Sequence, residues 1–151
     1  MNVEVRNRQP RKRSGLRVDA LLLKTLTKQV LELVGAVADY NLSIVLVNDA
    51  MMAKLNAQYH ATEGPTDILS FNYGEGQGEL IISVEHVVAN ARRFRTTPAR
   101  ELAVYIIHGI LHLHGYDDHA AQPRRRMRNA EHRLLRNLST SFGLKRLALR
   151  A

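Results

Sequence analysis

One segment limits the folds open to this chain more than any other, the run from Thr97 to Gly115. Thr97 is placed to cap a helix, Pro98 occupies its first position and Glu101 lies one turn in. Helix starts favour this arrangement because their first backbone N–H groups have no partner within the helix. Leu102, Tyr105, Ile106, Ile110 and Leu113 then recur at helical spacing until Gly115 stops the helix. The segment is expected to form the central helix of a domain, with the rest of the chain arranged around it.

That remainder is short. The chain has 151 residues, enough for one buried core, and is expected to be a single domain over residues 1–151. A strand is expected over residues 2–5, and Asp19 is a candidate cap for a helix carrying Leu22, Leu23, Leu26, Val30, Leu33 and Val34. Residues 42–47 suit a strand, and Asn48 or Asp49 then caps a second helix with Met51, Met52 and Leu55. After the breaker Gly64-Pro65, residues 68–71 and 79–83 suit two more strands. Further helices are expected over residues 84–94 and 123–138. The fold class is therefore α+β, a small mixed sheet of about four strands covered by about five helices, with a metal site at the end of the central helix. Basic stretches near residues 6–17 and 140–151 are candidate flexible ends.

Composition excludes several classes. Hydrophobic residues at 45% and charged ones at 24% fit a globular chain rather than a disordered one. No apolar run approaches the roughly 20 residues of a spanning helix, and the Arg-rich start has no apolar signal core. A soluble, cytoplasmic protein that does not engage membranes is expected. With no cysteine there is neither disulfide nor thiolate nucleophile, and any zinc has to be held by His, Asp or Glu. The net charge of +8 favours a polyanionic partner. It is concentrated in Arg6, Arg8, Arg11, Lys12, Arg13 and Arg17, and in Arg124, Arg125, Arg126, Arg128, Arg133 and Arg136.

Four of the seven histidines, His108, His112, His114 and His119, fall in one short stretch. Residues four apart on a helix lie one above the other, so His108 and His112 can grip one cation. Gly115 lets the chain turn sharply and bring back a third ligand, either Asp118 or His119, with a coordination position left open as a catalytic zinc requires. Zinc peptidases place a glutamate directly after the first histidine as general base. Here that position is Gly109, which argues against a peptidase. His114 projects from another side of the helix and reads as a solvated or supporting residue. Glu101, seven residues before His108 on the same face, is either a carboxylate that orients a ligand imidazole or an exposed helix-start residue.

The stretch His108 to Asp117 resembles the motif H-G-x-L-H-L-x-G-Y-D-H of the YbeY-type rRNA maturation factors. The resemblance extends upstream through Leu55-Asn56-Ala57-Gln58-Tyr59-His60, Thr66-Asp67-Ile68-Leu69-Ser70-Phe71 and Gly78-Glu79-Leu80-Ile81-Ile82-Ser83. It covers most of the chain in matching order. It implies a single-strand-specific, metal-dependent endoribonuclease, a hydrolase that uses one zinc ion in the cytoplasm. Other divalent transition metals suit the same ligands. The implied role is late-stage 70S ribosome quality control and maturation of the 16S rRNA 3′ end, with single-stranded RNA, 16S rRNA and the small subunit with its associated factors as partners.

Two positions depart from the family pattern. Asp117, Asp118 and His119 stand where the family has one Asp and a histidine, and His60 stands where it usually has an arginine. The expected catalytic residues are His60, His108 and His112, and the expected metal ligands are His108, His112 and either Asp118 or His119. Arg124, Arg125 and Tyr116 are expected at the substrate, with Glu101, Asp67 and Ser70 supporting the site. Two other readings stand beside this one. The first is a ribosome-associated RNA-binding assembly factor with a structural zinc, and the second a zinc hydrolase of small substrates.

Overall fold

The computed structural model describes residues 1–10, 15–59, 67–117 and 119–150. The chain order is β1 (Asn2–Asn7), β2 (Leu16–Val18), α1 (Ala20–Leu33), β3 (Asn41–Val47), α2 (Asp49–Tyr59), β4 (Ile68–Gly74), β5 (Gln77–Ser83), α3 (Val84–Arg93), α4 (Pro98–Leu113), α5 (Ala121–Ser141) and β6 (Ala148–Arg150), with a 3-10 turn at Leu144–Arg146 before β6. This is an α+β domain with a four-stranded mixed sheet and five helices, as the apolar patterning predicts.

The sheet order is β1-β3-β5-β4. Strands β1, β3 and β5 run parallel, in register Val5↔Ile44 and Ile44↔Leu80, while β4 returns antiparallel to β5 through a hairpin. Successive side chains of a strand face opposite sides of a sheet, so each interior strand feeds two apolar layers. Leu42, Ile44, Leu46, Leu80 and Ile82 join the larger cluster with α1, α3, α4 and α5. Val45, Val47, Ile81 and Leu69 join a smaller one with Met52 of α2. Strands buried on both faces explain why β3 and β5 read as unbroken apolar runs.

Local signals place the helix ends. Asp19 accepts from the Leu22 amide, Asn48 from the Met51 amide and Thr97 from the Arg100 amide. Helix α4 buries Leu102, Ala103, Ile106, Ile107, Ile110 and Leu111 completely, as expected of a central helix. Two boundaries differ from the sequence pattern. Helix α5 starts two residues before Pro123, because a first-turn proline gives up no hydrogen bond, and β1 runs on to Asn7. The basic ends contain a small sheet that their short apolar runs did not reveal. Leu16 pairs with Arg150 and Val18 with Ala148, over buried Leu16, Leu147 and Ala148. Among the described residues, no helix is long and apolar enough to cross a membrane.

Candidate active site

The last two turns of α4 and the inward face of β4 enclose a cavity of about 430 Å³, lined by Asp67, Ile68, Ser70, Asn72, His108, His112 and Leu113. Its construction follows from two periodicities. Ile68, Ser70 and Asn72 alternate along β4 and share one face, while His108 and His112 stand one turn apart on α4. The imidazole centroids are 4.6 Å apart with planes at 75°. Gly109 permits this proximity of helix and strand. A Cβ there would stand 2.6 Å from Leu80 Cδ2 and 3.0 Å from Ile68 Cδ1, so a larger residue would push α4 away from β4 and β5.

Supporting contacts fix the polar groups. His108 Nδ1 lies 2.6 Å from Oε1 of Glu131 on α5, a residue the sequence reading did not single out. No local motif marks it, because the two residues meet only through helix packing. The Glu101 carboxylate, considered above as an orienting group, accepts instead from Thr96 Oγ1 and is buried. Asp67 accepts the Ser83 amide at its carbonyl, at 3.1 Å, and its carboxylate lies near the Tyr105 hydroxyl, which accepts from Asn90 Nδ2. Burial, followed by the negative charge of Asp67, pushes the Tyr105 hydroxyl well above the ordinary tyrosine range, so it stays a proton donor.

After His112 the helix closes with the Tyr116 amide bonded to the Leu111 carbonyl, and Gly115 takes φ +92° to make the turn. Tyr116 leads away from the imidazoles, into a separate cavity with Leu33, Val34, Leu111, Arg133, Leu134 and Asn137. His114 bonds the Ile110 carbonyl through Nδ1 and packs on Tyr40, a supporting role. His119 is 89% exposed, with Nε2 3.8 Å from Asp117. Arg124 and Arg125 are exposed on the first turns of α5 and do not line the imidazole cavity. His60 and Asp118 lie outside the described residues.

The donor chemistry fits a transition-metal ion in part. A carboxylate on the far nitrogen of an imidazole fixes the ring tautomer and raises its basicity, as in many metal sites. His108 and His112 would hold the ion, His108 through Nε2. Among the described residues, no three His, Asp or Glu side chains form a group that could hold a metal.

A family profile described as Endoribonuclease YbeY matches residues 5–139. Endoribonuclease YbeY of Chlorobium luteolum is 37% identical over 141 residues, covering 91% of this chain and 98% of the relative. That of Heliobacterium modesticaldum is 37% identical over 135 residues, covering 78% and 81%. The solution structure of TM1509 from Thermotoga maritima superposes with a TM-score of 0.59 at 26% identity, over 91% of this chain and 93% of that one. The motifs around His108 and along β4 and β5 thus belong to a likeness that runs nearly end to end, and the chain is a member of the YbeY endoribonuclease family.

Proposed function

We propose that this chain is a metal-dependent endoribonuclease that cuts single-stranded RNA at the His108–His112 cavity, acting on 16S rRNA during small-subunit maturation and ribosome quality control. The observation that carries the reading is the His108–Glu131 contact behind an imidazole pair that faces an open cavity with Asp67, Ser70 and Asn72. A zinc or similar ion held by His108 and His112 supplies Lewis acidity toward water and the scissile phosphodiester. The chain's own groups do the rest. Ser70 and Asn72 offer hydrogen bonds to the phosphate oxygens, and the Asp67 carboxylate, which also lines the cavity, takes the proton of the attacking hydroxyl or water. Glu131 keeps the His108 ring in one orientation.

A purely structural metal is the weaker alternative, because structural zinc sites are closed and fully ligated by protein. Here the His108 side chain is 30% exposed and borders a cavity large enough for substrate. The deciding experiment incubates the purified chain with single-stranded and duplex RNA, with zinc and with EDTA. Cleavage of the single strand alone, abolished by EDTA and by His112→Ala, is the expected result. Undiminished cleavage by folded His112→Ala protein would refute the assignment.

A further inference from the structure

Helices α4 and α5 pack antiparallel, and the register that joins His108 to Glu131 also brings Arg100, in the first turn of α4, to the last turns of α5. There Arg100, His132, Arg136 and Ser139, all exposed, line with Leu135 an open surface cavity of about 310 Å³. His132, Arg136 and Ser139 are spaced by four and three residues, so they share one face of α5. Buried Leu135, one turn beyond Glu131, forms its floor. No carboxylate lines the cavity, and among the described residues neither Arg100 nor Arg136 is ion-paired.

Two guanidiniums and an imidazole around a small apolar floor form an anion site, with the Ser139 hydroxyl at its edge already donating to the Leu135 carbonyl. Guanidinium forks match the oxygens of a phosphate, and their positive field is not cancelled locally. Position then selects the anion. Arg100 precedes His108 by eight residues, about 12 Å along the helix axis, and His132 directly follows the glutamate that holds His108. Two sites offset by about that distance along one helix suit different phosphates of one extended polyanion.

We propose that the Arg100–His132–Arg136 cavity is a phosphate subsite for the backbone of single-stranded RNA, seating a phosphate other than the one cut at His108 and His112. The proposal rests on the endoribonuclease reading above. It assigns to these side chains a part in substrate affinity, with no part in the bond-breaking step.

The test measures binding of the full chain to a fluorescently labelled single-stranded RNA in EDTA, where no cleavage occurs, across a range of salt concentrations. Arg100→Gln and Arg136→Gln are each expected to weaken binding about fivefold to tenfold. Each should also lower the slope of log affinity against log salt by about 0.7, the loss of one phosphate contact on a single strand. Lys54→Gln, exposed on α2, which packs on the opposite face of the sheet from α4 and α5, serves as the control for loss of one positive charge. If both arginine variants bind with the parent's affinity and slope while the parent cleaves RNA with zinc, the subsite is refuted and the nuclease reading stands. If the parent binds RNA but never cleaves it with zinc, the nuclease reading falls while the weakened variants still locate the phosphate contact. Displacement of the RNA by polyglutamate at equal charge would overturn the proposal in favour of an acidic peptide.

Discussion

His108 and Glu131 are joined across the α4–α5 interface by a contact of 2.6 Å between Nδ1 and Oε1. Both side chains are partly exposed, at 30% and 23%, so the pair adds little to stability and its effect falls on the imidazole. Glu131→Gln keeps a hydrogen-bonding group but removes the charge, and Glu131→Ala removes both. Zinc affinity measured by calorimetry should fall about tenfold in the first and nearer a hundredfold in the second. An unchanged affinity in Glu131→Ala would show that the carboxylate does not tune a ligand.

The Tyr105 hydroxyl gives a pH-dependent signature. Burial and the nearby Asp67 charge hold its ionisation well above the ordinary value near 10, and the unfolded chain regains that ordinary value. Above pH 10 the unfolded state therefore binds fewer protons than the folded one, and stability falls as pH rises. Urea midpoints measured from pH 8 to 11 should decline above pH 10. Tyr105→Phe should be less stable at pH 8 by about 1 kcal/mol, because Asn90 loses its partner, and should show a shallower alkaline decline. Tyr40, also raised by burial, accounts for part of the remaining slope.

The contrast between Glu131 and Asp67 shows which parts of the site a sequence exposes. Ser70, His108 and His112 fall into periodic segments, so alternation on a strand and spacing on a helix place them on one cavity, whereas Asp67 stands just before β4, out of step with Ser70, and is legible only from its motif. The helix caps at Asp19 and Thr97 and the turn at Gly115 are equally local and equally legible. Glu131 and the Arg100–Arg136 juxtaposition depend on the register between two helices, which no single segment encodes. Tyr116 illustrates the converse. Its place in the motif suggested the substrate, but the turn after Gly115 carries it toward Leu33 and Leu134. The β2–β6 pair escaped for a different reason, since three-residue strands are too short to show a period.

Gly109 is a test of close helix–sheet approach. Alanine would gain roughly 1 kcal/mol of helix propensity but place its Cβ 2.6 Å from buried Leu80, an overpacking that costs about 1–3 kcal/mol. The net expectation is a loss of about 1 kcal/mol in chemical denaturation, with weaker zinc binding as α4 moves away from β4. A stabilised Gly109→Ala protein with unchanged zinc affinity would show that the contact relaxes freely through the Leu80 side chain.

Removal of the metal separates a catalytic site from a structural one. The two apolar clusters draw on every strand of the four-stranded sheet and on all five helices, and the imidazole cavity borders the larger one only at Ile68 and Leu113. The metal-free chain should therefore remain folded. Zinc at a hundredfold excess over its dissociation constant should add about 2.7 kcal/mol, which for a domain of this size raises the melting temperature by roughly 5–10 °C. His112→Ala should match the metal-free parent in melting temperature and lose that rise, because a partly exposed ligand contributes little to packing. Loss of the folded signal on chelation, in circular dichroism and in proton NMR, would instead make the ion part of the core's stability and favour the structural-zinc assembly factor over the nuclease.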